Sequence, residues 1–241
     1  MLNFKIGSTV ISYSIRRSFR AKYLKLSVGI DGVRVVAPVS MDDSEIISFV
    51  ENKRDWIVTK YEYHIQRLAQ IEAEREFVSG EKLLFMGKDY SLKVIEDEGR
   101  FTRINLTDSQ FLVFINKHIP LEKRREAIRR KLEQWYISQA KTIIRERLEP
   151  FSDDIGVRLN EVRFKNQKTR WGSCSQKGNL NFNWKLVMAP MYIIDYVVVH
   201  ELCHFIQMNH SKEFWQQVGN RIPDYKERRK WLKENGIKLN L

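Results

Sequence analysis

Apolar and polar positions along the chain follow two different periods, and the changes between them divide the sequence into blocks. From Phe4 to Ile15 the alternation suits an edge strand, and Tyr23 to Val28 alternates more strongly. Ile30-Asp31-Gly32-Val33 supplies a hairpin turn before Arg34 to Ala37, and Pro38 ends the unit. A helix follows, with Ser40 or Asp42 as its cap and Ile46, Phe49, Val50, Trp56, Ile57 and Tyr61 on one side. A second strand-rich stretch runs from about Phe77 to Ile119, punctuated by Gly80, Gly87 and Gly99.

Pro120 opens a long helix that the pattern carries to about Leu148, with Pro150 and Gly156 closing it. Its apolar stripe includes Leu121, Ile128, Leu132, Trp135, Tyr136, Ile143, Ile144 and Leu148. Lys123, Arg124, Arg125, Arg129, Arg130 and Lys131 lie on other faces. Beyond it, a turn at Lys177 to Asn179 precedes strict alternation. Leu180, Phe182, Trp184 and Leu186 point one way; Asn181, Asn183 and Lys185 point the other. From Pro190 onward the pattern is helical, and no internal repeat is visible. These elements describe an α+β chain with a strand-rich N-terminal region (1–118) of unassigned role and a C-terminal domain (119–241).

Composition narrows the class. With 43% hydrophobic and 30% charged residues, the chain has the balance of a soluble globular protein. Its most apolar run, Met191 to Val199, is interrupted by Asp195, which excludes a membrane span. Two cysteines, Cys174 and Cys203, are too few for a disulfide framework, and the first residues show no secretory pattern; a cytoplasmic setting is expected. The net charge of +12 admits a nucleotide or nucleic acid as partner. The basic cluster from Lys123 to Lys131 is the best candidate for such a contact.

Three of the five histidines carry the chemistry. His200 and His204 are four apart, one turn on a helix, so their imidazoles can converge on one ion. Glu201 is offset from them and can take a proton from a metal-bound water. His210 lies six residues beyond His204, room enough for the helix, read from Ile193 to Gln207, to end and the chain to fold back. Asn209 is the candidate stop and Ser211 the cap of the next helix. Three nitrogens leave a fourth position open, the mark of a catalytic zinc (Zn2+) site. The β-branched run Val197 to Val199 suits a strand, but the length of the segment favours a wholly buried helix.

Several motifs together resemble one family. These are Thr169 to Cys174, Gly178 to Trp184, Met188 to Pro190, Tyr196 to His204 and Asn209 to Trp215, with upstream likeness at Tyr13 to Arg17 and Ser79 to Glu81. They are similar to the YgjP-like zinc metallopeptidase family, related to the SprT-like and WLM zincins. The resemblance implies a zincin-like catalytic domain, an active-site helix beneath a small sheet, with His200, His204 and His210 on the metal and Glu201 as base. The histidine spacing also equals that of metzincins. However, Gln207 stands where those place a glycine, and no methionine follows Met208, so that membership is not assigned.

On the zincin pattern Leu180 to Met188 becomes the substrate-holding edge strand, with Asn181, Asn183 and Lys185 lining the cleft. Arg170 is the candidate for steadying the oxyanion. The expected function is a zinc-dependent metallopeptidase acting on a peptide or protein. Two alternatives stay open. One is hydrolysis of UTP or another nucleoside triphosphate, a label also attached to the family, with Lys168, Arg170 and Lys185 neutralising phosphate. The other is a DNA-associated protease like the SprT-like relatives.

Overall fold

The computed structural model describes residues 2–6, 9–29, 32–73, 75–167 and 170–241. The expected turn residues Ile30 and Asp31, and the candidates Lys168 and Thr169, lie outside them. The chain forms two compact units, Met1–Gln70 and Ile71–Leu241.

In the first unit β1 (Leu2–Ile6), β2 (Thr9–Ser18), β3 (Lys25–Gly29) and β4 (Gly32–Pro38) form a sheet of order β1-β2-β4-β3. The stretch read as a single edge strand is thus two paired strands. Ile11 and Tyr13 of β2 and Val33, Val35 and Ala37 of β4 bury their alternate side chains under Ile46 and Val50 of α1 (Asp43–Asn52) and Ile57 of α2 (Arg54–Ala73). Asp42 is the N-cap of α1, and the Glu45 carboxylate accepts its N–H at 3.4 Å.

The second unit opens with β5 (Lys82–Phe85), β6 (Lys88–Asp97), β7 (Arg103–Leu106) and β8 (Gln110–Asn116), in the order β5-β6-β8-β7. Each of the two sheets joins two antiparallel hairpins through one central parallel pair, β2 with β4 and β6 with β8. In both, a helix follows the last strand. The topology therefore repeats, although the sequence shows no repeat. Strand order needs only an apolar alternation, which many sequences satisfy without resembling one another.

The boundary expected between 118 and 119 moves to between 70 and 71. Its physical cause is the shared core. Leu83, Leu92, Phe111, Val113 and Ile115 of the second sheet are buried in one cluster with the long helix α3 (Leu121–Ile155) and with the C-terminal helices. Helix α3 buries Ile128, Leu132, Tyr136, Ala140, Ile144, Leu148 and Ser152, an unbroken four-residue rhythm, and the Tyr136 hydroxyl donates to the Leu84 carbonyl at 2.7 Å. Leu121, expected in that stripe, is exposed. Nor does Pro150 close the helix, which continues to Gly156 in the left-handed region at φ 74°. Pro150 and Glu146 are both exposed, so the carbonyl that proline leaves without a donor is open to hydration.

The last part of the chain builds a small sheet over a buried helix. Strands β9 (Glu161–Lys165), β10 (Gly172–Cys174) and β11 (Asn179–Asn183) pair in the order β10-β11-β9. Here the structure corrects the expected edge strand. β11 is central, antiparallel to β10 and parallel to β9, and residues Trp184–Met188 turn into a 3-10 helix. The edge beside the following helix is β10. That helix, α4 (Met191–Cys203), buries nine residues, among them Val197, Val198 and Val199, so burial outweighs the strand preference of the β-branched run. α5 (Lys212–Arg221) and α6 (Tyr225–Asn235) complete the unit.

Two contacts hold α4 in place. The β5–β6 turn docks at its entrance: Met86 N–H donates to the Val187 carbonyl at 2.8 Å and Gly87 N–H to Met188 at 3.0 Å. Gly87 has φ 75°, and a side chain there would meet Pro190 Cγ at 2.6 Å, so only glycine fits. One turn before His200, Asp195 accepts two bonds from Arg147 of α3, at 2.6 and 3.1 Å. Asp195→Ala leaves that half-buried guanidinium unpaired. It is expected to cost about 2–3 kcal/mol in urea unfolding, with little dependence on salt.

Candidate metal centre

His200 and Glu201 lie in the last turn of α4, and His204 is its C-cap in right-handed helical geometry. The helix ends at Cys203 and not at Gln207 as its pattern suggested, yet His204 keeps the helical offset that places it beside His200. The chain then turns through residues 204–210, and the Ser211 hydroxyl caps α5 by accepting Phe214 N–H at 3.4 Å. This return brings His210 back over the helix. Nε2 of His210 faces Nε2 of His200 at 3.0 Å, and one nitrogen from each of the three rings lies within 4.8 Å of the others. Nitrogens sharing a tetrahedral zinc at its usual bond length sit about 3.4 Å apart, so the three rings need only small adjustments.

The rings are held by aromatic packing. Phe214 stacks on His204 at 4.5 Å between centroids and meets His200 edge-on at 5.0 Å, while Trp215 stacks on His210 at 5.6 Å. The His204 Nδ1–H donates to the Gln207 carbonyl at 3.1 Å, which leaves Nε2 with the free lone pair. Nδ1 of His200 is buried and has no hydrogen-bond partner among the described residues, so aromatic packing and the Nε2 contact with His210 orient that ring. Burial, then the neighbouring imidazoles, push His200 down to about 3, and burial lowers His204 as well. Neutral imidazole is the form that binds a metal. The donor set therefore fits a metal ion: the three rings converge, His204 keeps Nε2 free, and burial favours neutral His200 and His204.

Glu201 is buried next to the cluster, 5% exposed. Burial pushes its carboxyl up to about 8, with Arg170 pulling the other way. The edge strand β10 passes so close that a Cβ on Gly172 would lie 2.6 Å from both Cγ and Oε1 of Glu201. A cavity of about 330 Å³ opens beside His200 and Glu201 and reaches Arg170, Trp171 and Tyr196.

Of the residues expected to line the cleft, the structure brings Arg170 to it and keeps three away. Asn183 is buried; its amide donates to Gln167 and Arg170 carbonyls, and its Oδ1 accepts Lys185 N–H, which caps the 3-10 helix. Lys185 lies in that helix, bonded to Asn240 and set over the Trp184 ring. Asn181 donates to the Ser173 hydroxyl at 3.3 Å. None of the three borders the cavity. The alternation holds only as far as Asn183, where the strand ends, and β11 is flanked by a strand on each side. Gly172, Phe214 and Trp215 were missed as parts of the site. All three lie inside the family motifs, Thr169 to Cys174 and Asn209 to Trp215, while Tyr196 carried a positional signal, one helical turn before His200.

The YgjP-like family model, described as a metallopeptidase domain, matches residues 22–235. The chain belongs to this family. As a YgjP-like protein it is a metallopeptidase-type hydrolase, and its three-histidine cluster is the feature that answers to the family's need for a metal. Its fold is α+β, with the His-Glu-x-x-His helix beneath a three-stranded sheet. No curated protein matches the chain. A solved structure, the metallopeptidase zymogen of Pyrococcus abyssi abylysin, is 26% identical over 37% of this chain and 93% of its own, with a TM-score of 0.34. No helix among the described residues is long and apolar enough to cross a membrane.

If the stack of Trp215 on His210 orients that ring, Trp215→Leu in this YgjP-like protein is expected to weaken metal binding by about 10–100-fold. Competition titration against a chromogenic chelator measures the change, with circular dichroism to confirm an unaltered fold.

Proposed function

We propose that the chain is a zinc-dependent metallopeptidase in which His200, His204 and His210 hold the ion and Glu201 is the general base. The convergence of three imidazoles beside a buried carboxylate, at the mouth of a cavity, is the observation that carries this reading. Zinc held there supplies a Lewis acid that polarises a peptide carbonyl and makes a water more acidic. Glu201 accepts a proton from the water as its oxygen bonds to the carbonyl carbon. The carboxyl then delivers that proton to the nitrogen as the C–N bond breaks. Arg170, on the Glu201 side of the cavity, faces the negative charge that develops on the substrate. Gly172 keeps β10 close enough to hold the carboxylate in one position and supplies the free edge along which an extended peptide can lie.

The alternative readings draw less from the structure. For phosphate chemistry, Lys185 is committed to Asn240 and only Arg170 of the three expected cations borders the cavity; Lys168 is outside the described residues. For a DNA tether, Arg124 binds Glu96 at 2.6 Å and the carbonyls of Lys117 and Ile119, and Arg125 binds the Arg75 carbonyl at 2.8 Å. These guanidiniums serve the fold.

Glu201→Gln is expected to lower kcat on an unfolded protein substrate by about 10²–10⁴-fold while the zinc content stays the same. Gly172→Ala forces the carboxylate aside, and a loss of at least about tenfold in kcat is expected, again with zinc retained. Zinc content and peptide release, measured on the same preparations, check both. A Glu201→Gln protein of undiminished activity removes the assigned base.

A further inference from the structure

The cavity beside His200 and Glu201 holds more positive charge than peptide hydrolysis requires. Besides Arg170, it is lined by Arg229 and Lys233 of α6. Glu201 is the one carboxylate in the lining, and it is buried. None of the three cations makes an ion pair among the described residues, while nearby basic residues do. Arg228, next in sequence to Arg229, pairs with Asp224 at 2.8 Å, and Lys230 approaches Glu234 at 3.9 Å.

Arg229 and Lys233 are four apart on one helix, so their like charges share a face and repel. A folded chain that keeps this repulsion beside its reaction centre gains from it when an anion enters. The placement is also defined. The Arg229 guanidinium sits 5.1 Å over the Trp215 ring, the same ring that stacks on His210. Trp171, Tyr196, Val197 and Leu232 give the cavity largely apolar walls, which strengthen the field of its charges. Its size, about 330 Å³, suits a small ligand group.

We propose that this cavity takes a carboxylate of the peptide substrate, with Arg229 and Lys233 as its anchoring cations. The carboxylate comes either from an acidic side chain close to the scissile bond or from the peptide's own C-terminus. This specificity rests on the metallopeptidase reading and adds a substrate class to it.

The test uses zinc-loaded Glu201→Gln protein, which binds without turnover, and three acetylated peptides of one sequence. One carries Glu with an amidated end, one Gln with an amidated end, and one Gln with a free C-terminal carboxylate. Calorimetry is expected to show at least one carboxylate peptide binding about tenfold tighter than the neutral one. Which of the two does so identifies the source of the carboxylate. Adding Arg229→Gln and Lys233→Gln, both exposed positions, is expected to erase the preference, so that the carboxylate peptides bind no tighter than the neutral one does to the same protein.

Three peptides binding within twofold of one another overturn the proposal. So does a preference that survives the two substitutions, since the carboxylate would then be held elsewhere, for example by the metal itself. A companion assay of wild-type enzyme on unfolded protein keeps the two levels apart. Cleavage without a carboxylate preference leaves the metallopeptidase standing and removes this specificity; absence of any cleavage removes both.

Discussion

Everything in the site depends on the burial of α4. A helix surrounded by core on nearly every side has one position and one rotation available to it, so the imidazoles and the carboxylate in its last turn inherit that rigidity. The sheet edge at Gly172, the Phe214 and Trp215 rings, and the Arg147–Asp195 pair press on this helix from different directions. Burial also works on the chemistry. It keeps His200 and His204 neutral and makes an ionised Glu201 costly, so the apo site is poised to gain from a cation. Stability spent on burying polar groups is repaid as preorganisation.

The three-histidine cluster was legible because its information is local. His200, Glu201 and His204 sit within one turn of a helix, and the return to His210 is signalled by Ser211 at a cap position. The family motifs pointed to the same residues, and the family match over residues 22–235 covers them. The alternation of Leu180 and Phe182 likewise placed those side chains in the core correctly.

What failed was non-local. Nothing in Asn179–Asn183 says whether one neighbour or two will pair with it, so Asn181 and Asn183 were read as cleft residues when their strand is central. The second sheet was assigned to the N-terminal region because strands follow strands there, while its apolar face in fact belongs to the core of α3. Pro150 looked like a terminator, and the helix runs through it on an exposed face. Arg229 and Lys233 reach the cavity only because α6 folds back beside α4, a contact that no spacing rule reports.

In the proposed site three imidazoles and no other side chain hold the metal. X-ray absorption at the zinc edge of the zinc-loaded protein tests it most directly. The expected spectrum has three imidazole nitrogens at about 2.0–2.1 Å and an additional light oxygen scatterer, with the fourth site open to solvent. A sulfur scatterer at about 2.3 Å, which would bring in Cys174 or Cys203, or fewer than three imidazoles, would rule out the three-histidine site.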